Sequence, residues 1–262
     1  MIEAREGRRD PLLAIGEYAR FIAGAVLQIG KLRPYAGETL RQAGILALGS
    51  TLIIVVMAFL LGSACGLQAS AATRALGGGS SLGVFTAFCT TREVVPFIFG
   101  FILAAKVGCG IVAELGSMRV HEEVDALEVM GVPSITYLVT TRLVAAMLIV
   151  PLIYVAAVLA GQFGAWLVSV VYFADVSQGT YSLGFYSALS PLDLLYSTIK
   201  GLTIALLVVS VSLYYGYTVR GGPVEVGLAT ARSMTVNLVL ATLANMSLTL
   251  VFWGIDPHIP VA

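Results

Sequence analysis

Charge vanishes from this chain in long apolar gaps, and those gaps predict its elements. There is no Asp, Glu, Lys or Arg between Gln42 and Thr73, Leu143 and Ala174, Gly201 and Val219, or Ser233 and Ile255. A bilayer-spanning helix needs about 20 mostly apolar residues, so the gaps predict spans over 43–68, 143–165, 199–219 and 233–255. A fifth, 94–114, is apolar apart from Lys106 and the terminal Glu114. Five crossings put the two ends of the chain on opposite sides.

Two further stretches have helical period without the length or oiliness to cross. In 11–33, Ile15, Tyr18, Ile22, Val26 and Ile29 form one stripe, while Glu17, Arg20, Gln28 and Lys31 take the other side. This pattern predicts a helix lying in the membrane interface; a soluble helix packed on a partner is the alternative. In 117–131, Val120, Val124 and Leu127 share a stripe with Met130 beside it, and His121, Glu122, Asp125 and Glu128 lie opposite. Ser117 is placed to cap this stub, and Gly131 followed by Pro133 to stop it. At roughly 20 Å it is too short, and it is too acidic, to span. It reads either as a solvated loop helix or as a docking helix whose apolar ridge enters a cleft on a cytosolic partner, its carboxylates meeting Arg or Lys at the rim.

Lys and Arg set the orientation, because they collect on the cytoplasmic side. With the N-terminus inside, Arg5, Arg8, Arg9, Arg20, Lys31, Arg33, Arg41, Arg119, Arg142, Arg220 and Arg232 are all cytoplasmic, and only Arg74 lies clearly outside. Arg92 falls near the outer end of the second span, with Lys106 and Lys200 inside spans. The outer segment 172–192 has no Lys or Arg and carries Tyr172, Phe173, Tyr181, Phe185 and Tyr186, as an interfacial aromatic belt would.

Composition narrows the class. Apolar residues make up 58% and charged residues 11%, with a mean hydropathy of +0.92, against roughly 25% charged in soluble domains. Fifteen basic residues balance fifteen acidic ones, so neither disorder nor a basic nucleic-acid binder fits. The expected fold is an all-α integral membrane protein: an N-terminal interfacial amphipathic helix, five transmembrane helices, and a short cytoplasmic helix between the second and third.

Little in the chain suggests bond chemistry. Cys65, Cys89 and Cys109 lie in or beside apolar runs and are expected as small hydrophobes. His121 and His258 are the only histidines, so no metal framework is expected. No G-x-x-x-x-G-K-[ST] occurs, and Gly77-Gly78-Gly79-Ser80-Ser81 lacks the Lys of a phosphate cradle. The charged N-terminus has no apolar core leading to a small-residue cleavage site, so no signal peptide is expected. Any ATP-driven work requires an ATPase on another polypeptide.

Charges in the second span are the exception. On one unbroken helix Arg92, Lys106 and Glu114 fall within about 80° of each other, with Glu93 adjacent. A mid-depth Lys costs about 2.5–3.5 kcal/mol on insertion scales, so Lys106 should face a cavity or a partner charge. The residues alone leave lipid-cavity lining and structural ion pairing equally open. Lys200 is expected to snorkel to the outer interface, and Asn237 and Asn245 to bond between helices. Ala160 and Gly164 are expected to serve packing.

Ala113 to Val120 (A-E-L-G-S-M-R-V) and Glu122 to Gly131 (E-E-V-D-A-L-E-V-M-G) resemble the signature of the MlaE/YrbE permease family. Arg92-Glu93-Val94-Val95-Pro96 is similar to that family's R-E-V-G-P element, with Val95 in the glycine position. Lys106-Val107-Gly108 stands where the family has A-G-R-x-G. Tyr214-Tyr215-Gly216-Tyr217 and Gly221-Gly222-Pro223-Val224 resemble the second, B-type permease of actinobacteria. The resemblance covers about residues 12–256.

It implies the permease of an ABC-type lipid transporter in the cytoplasmic (inner) membrane, acting without bond chemistry. Implied partners are two cytosolic ABC ATPase subunits holding ATP and Mg, a second YrbE-type permease in a heterodimer, and MCE-domain proteins on the outer side. Residues 117–131 become the ATPase-contacting coupling helix, with Arg119, Glu122, Glu123, Asp125, Leu127, Glu128 and Gly131 as its site residues. The resemblance favours cavity lining for Arg92 and Glu93, and has Lys106 meet a headgroup or a charge across the dimer. Two rivals remain. An ion-coupled secondary transporter would show two matching halves, and no internal repeat is found. A membrane-embedded lipid-modifying enzyme would need converging catalytic groups, and neither histidine lies within a span.

Overall fold

The computed structural model describes residues 11–76 and 81–254. Arg5, Arg8, Arg9, the Gly77–Ser80 stretch and His258 lie outside the described residues. Every described element is helical. An N-terminal helix α1 (Pro11–Leu27) leads through two short 3-10 turns into α2 (Ala36–Leu76). The long helix α3 (Leu82–Val120) is followed by the two-turn α4 (Glu123–Val129) and then by α5 (Ile135–Tyr172). A short α6 (Gln178–Ala188) precedes α7 (Pro191–Thr218) and α8 (Pro223–Trp253). Helices α2, α3, α5, α7 and α8 are long and apolar enough to cross a membrane.

These helices extend past the charge-free gaps because polar flanking turns keep their backbones helical. In the first turns of α2, Glu38 accepts from both Arg41, at 3.0 Å, and Gln42, at 2.7 Å. Ser190 and Asp193 form a reciprocal capping box at the start of α7, with Pro191 where no N–H is needed. Helix α3 begins at Leu82, twelve residues before the expected span, and its first turns carry α6. There Gly83 lies against the Tyr181 carbonyl, and the Thr86 hydroxyl donates to the Tyr181 phenol at 3.1 Å. Burial pushes the Tyr181 phenol above its ordinary pKa. Tyr181 thus leaves the expected aromatic belt, whereas Tyr172 and Tyr186 remain exposed.

Small residues set the closest helix pair. Gly62 of α2 meets Gly161 of α5 backbone to backbone, and Gly164 sits against the Phe59 carbonyl. A methyl group at any of these positions would overlap a neighbour, which is how small-residue stripes let membrane helices approach. Helix α3 runs through the middle, with Phe99 edge-on to Tyr154 of α5 at 5.1 Å. Leu48, Leu52 and Val251 are 90%, 76% and 68% exposed on the outside of the bundle, a perimeter suited to lipid rather than water.

One expectation changes. Cys65 and Cys89 are not separate hydrophobes: they form a disulfide between α2 and α3, leaving Cys109 free. Their Cα atoms lie 6.2 Å apart, a proximity created by helix packing and invisible in a sequence separation of 24. The side of α1 turned to the bundle carries Tyr18, Phe21, Ala25 and Gln28. Tyr18 bonds Ser210 of α7 at 2.6 Å, the Thr140 hydroxyl donates to the Ala25 carbonyl, and Gln28 accepts from Thr136. Ile15 and Val26 face outward, 63% and 46% exposed.

Candidate functional site

Chemistry-bearing side chains concentrate at two places: the α6 end of α3, and α4 at the opposite, α1 end. The first begins with a backbone fault. Pro96 has no N–H to give to the Arg92 carbonyl one turn earlier, and residues Cys89–Val94 open into a π-helical turn. Helix α7 satisfies the freed groups. Lys200 Nζ donates to the Arg92 carbonyl at 2.6 Å, and Ser197 Oγ to the Thr91 carbonyl at 2.6 Å. Intramembrane proline is tolerated when neighbouring side chains do this.

Four charges then interlock. Arg92 Nη2 lies 3.0 Å from Asp193 Oδ1, with side-chain exposures of 9% and 6%. Trp253 Nε1 donates to the same carboxylate at 2.6 Å, and the Arg92 guanidinium covers the Phe88 ring at 3.7 Å. Lys200 Nζ also donates to Thr249 Oγ1 at 2.6 Å and lies 3.5 Å from Glu93 Oε1. Glu93 accepts from Thr249 at 2.6 Å and from Asn245 Nδ2 at 3.0 Å. The network fastens α3, α7 and α8 together. Lys200 is fully buried in it and does not snorkel as expected, because the Arg92 carbonyl and Glu93 offer nearer partners than the interface does. Glu93 is the half-open member, its side chain 45% exposed.

The expected arc of charge along α3 is not formed. A second π-helical turn spans Leu103–Gly108. Each such turn inserts a residue and rotates the rest of the helix by about 100° relative to an unbroken one. Arg92 is consequently buried while Lys106 and Glu114 are exposed. Lys106 makes no hydrogen bond or ion pair with the described residues. Glu114 accepts from Arg142 Nη2 of α5 at 2.6 Å, and Arg142 Nη1 donates to the Leu138 carbonyl. Asn237 reaches Ser212 of α7 at 2.8 Å, the interhelical bond expected of it.

At the other end, the acidic stub is shorter than 117–131. Ser117 caps nothing; it lies inside α3, which continues to Val120. The break comes at His121–Glu122, where Glu122 adopts a left-handed conformation with φ +59°. Gly131, at φ +78°, closes α4 as expected: its N–H donates to the Glu128 carbonyl at 3.0 Å, and Val132 N–H to Leu127 at 2.9 Å. The apolar stripe faces inward, with Val124 only 1% exposed and Leu127 packed on the core. It is therefore not free to enter a partner's cleft. The outward face carries Glu122, Glu123, Asp125, Ala126, Val129 and Met130, with Val129 88% exposed. Asp125 is paired with Arg119 at 2.7 Å, and Glu128 accepts from Ser134 at 2.5 Å.

Clefts flank the stub. One of about 670 Å³ is lined by Arg119, Glu122, Asp125, Tyr217 and Arg220. Another of about 310 Å³ is lined by Gln28, Glu128, Gly131 and Ser134. Asp193, Thr249 and Trp253 are site residues that the sequence pattern does not single out. The available signal was Asp193 and Lys200 two turns apart on one helix, complementary to the consecutive Arg92 and Glu93.

Residues 39–251 match the family model described as Permease MlaE. A probable ABC transporter permease protein of Rickettsia bellii is 29% identical over 251 residues, covering 95% of this chain and 96% of that one. The intermembrane phospholipid transport system permease protein MlaE of Haemophilus influenzae is 26% identical over 227 residues, covering 87% and 86%. The protein TRIGALACTOSYLDIACYLGLYCEROL 1, chloroplastic, of Arabidopsis thaliana is 29% identical over 233 residues, covering 88% and 66%. The matched stretch takes in all five long helices, Arg92, Asp193, Lys200 and α4, and this multi-pass membrane chain belongs to the MlaE permease family.

Proposed function

We propose that this permease is the membrane subunit of an ATP-driven transporter that moves a lipid or lipid-like amphiphile. It works in the cytoplasmic membrane with its N-terminus inside and its C-terminus outside. The α1 end then faces the cytosol and α6 the outer side. A separate ABC ATPase holds ATP and Mg, a second YrbE-type permease completes a heterodimer, and MCE-domain proteins receive or deliver lipid on the outer side. The observation that carries this reading is α4. An acidic two-turn helix, tipped by exposed Val129 and Met130 and flanked by clefts, suits a basic-rimmed socket on a cytosolic protein. The names of the Rickettsia and Haemophilus relatives support the transport and phospholipid parts.

Within this reading, ATP-driven closure of the ATPase pair displaces α4, rocks the helices joined to it, and reshapes a cavity between two permease chains. Glu93, half-open at the outer end, lines that cavity, and Arg92 braces it from behind through Asp193. Lys106, exposed in the middle of α3 without a partner among the described residues, faces either a headgroup or the second permease. Mild-detergent purification with identification of what accompanies the chain tests the proposal. A P-loop ATPase and bound lipid are expected. A solitary chain with lipid-modifying activity, or ion-dependent uptake without ATP, would replace it.

A further inference from the structure

We propose that a lateral groove between α5 and α7, at the α1 end of these spans, binds one acyl chain of a resident membrane lipid. The groove is separate from the cavity that Glu93 lines, and it requires only that the chain sits in a bilayer, whatever the transporter carries.

Its shape follows from residue size. Helices α5 and α7 run antiparallel, and toward the α6 end Tyr154 Oη meets Ser197 Oγ at 2.6 Å. Nearer α1, Leu143, Val150 and Val209 stand around Ala146 and Ala205, whose single methyl groups leave the floor low. All five are almost fully buried. Met147 and Leu206 form the rims, 51% and 37% exposed. The result is a cavity of about 130 Å³ whose lining is entirely apolar. Residues 143–150 advance about 10 Å along α5. No charge falls in them or in 201–209, so the groove lies at hydrocarbon depth.

Both ends are shut. At one, the Tyr154 ring lies over Gly201, so close that a methyl group there would overlap it. At the other, α1 bridges the two helices. Tyr18 Oη lies 2.6 Å from Oγ of Ser210, the residue after Val209, and Thr140 Oγ1 donates to the Ala25 carbonyl at 3.1 Å. Entry is therefore sideways, from the bilayer, between Met147 and Leu206.

Volume and depth choose the occupant. A protein helix is about 10–12 Å across with its side chains, far more than 130 Å³ leaves over that length, which excludes a span of a second permease. An apolar cavity of roughly 150 Å³ stays dry and takes one benzene. A stretch of about six chain carbons fits such a space, and the fused rings of a sterol do not. A chain in the groove touches protein on three sides, against one side on the open face of α5 at Leu148 and Leu152. The additional dispersion contacts hold it there.

The test uses the full-length permease, with the chains that accompany it, in phosphatidylcholine vesicles. A small share of the lipid carries a diazirine in its acyl chain near the ester. Illumination followed by peptide mass spectrometry locates the inserted carbene. Leu148 and Leu152 serve as references, because they are on the same helix and are more exposed than Met147, at 55% and 67%. Label at Met147 and Leu206 is expected to be several-fold that at Leu148 and Leu152. Ala205→Leu, which fills the floor, should bring Met147 and Leu206 down to the level of Leu148 and leave Leu148 unchanged. Ala146→Leu fills the groove from the opposite wall and should act alike.

Label that follows exposure, highest at Leu152, overturns the inference. So does a folded Ala205→Leu chain that keeps the parent's pattern. Label confined to α3 and α8 around Glu93 and Lys106 would belong to the transport cavity and likewise overturn it. The parent's own pattern decides the matter if neither variant folds. Loss of the ATPase during purification would fall on the transport reading and leave this comparison intact.

Discussion

The Arg92–Asp193 network and α4 are built from the same residue types and do opposite things. At the α6 end, two cations and two anions occupy one knot, and three of the four side chains are almost entirely buried. At the α1 end, most of the charge on α4 points away from the chain. A charge removed from the knot leaves its partner stranded in low dielectric, whereas one removed from an exposed helix face is replaced by water. Burial, not residue identity, decides which charges hold the bundle together and which are available to another protein.

Stranding a charge should give the largest effect. Asp193→Ala should cost about 3–5 kcal/mol, because Arg92 loses its paired carboxylate, and folded monodisperse protein in detergent should fall steeply. Replacing both partners by apolar residues, Arg92→Met with Asp193→Leu, should recover much of that yield. Glu123→Lys on α4 should leave the yield unchanged. Equal losses in the two regions would erase the distinction.

A smaller effect separates the backbone role of Lys200 from its ionic one. Lys200→Met leaves the Arg92 carbonyl without its donor, a loss of about 1–3 kcal/mol. Pro96→Ala restores an N–H that can reach that carbonyl, so the same Lys200→Met change should cost less in the Pro96→Ala background. Thermal unfolding in detergent measures the difference between the two costs. Identical costs would mean that Lys200 serves Glu93 and Thr249 rather than the Arg92 carbonyl.

Overpacking α2 against α5 should cost roughly 1–3 kcal/mol. Gly164→Leu drives a side chain into the Phe59 carbonyl, and Gly44→Leu, where nothing lies within 4 Å, is its neutral control. The mildest test is a count. Maleimide added to the denatured chain without reductant should label one cysteine, Cys109, and after reduction three. Three labels before reduction would remove the disulfide.

The elements legible in the sequence are those governed by hydropathy alone. Charge-free gaps give away α2, α5, α7 and α8, because a bilayer-length apolar run has few other uses. The Gly131 stop was legible for the same kind of local reason: a left-handed residue after a helix is nearly always glycine. Whatever depended on a distant partner was not legible. Periodicity gives the apolar stripe of α4 but not whether it faces its own bundle. An unbroken helical wheel places Arg92 and Lys106 together, yet two π-helical turns separate them. Lys200 reads as a snorkelling lysine until Pro96, 104 positions earlier on another helix, leaves a carbonyl for it to satisfy. The left-handed turn at Glu122 had no signal, because glutamate is an unusual residue in that conformation.

Most depends on a cytosolic ATPase holding the outward face of α4. Glu123→Lys with Val129→Asp probes that contact, because both side chains are exposed on the outward face. Affinity purification of the doubly substituted permease in mild detergent, with the parent beside it, reads ATPase recovered per folded permease. Near-complete loss of the ATPase is expected, with the permease folded and monodisperse. Recovery equal to the parent's would contradict the contact and the transport reading built on it.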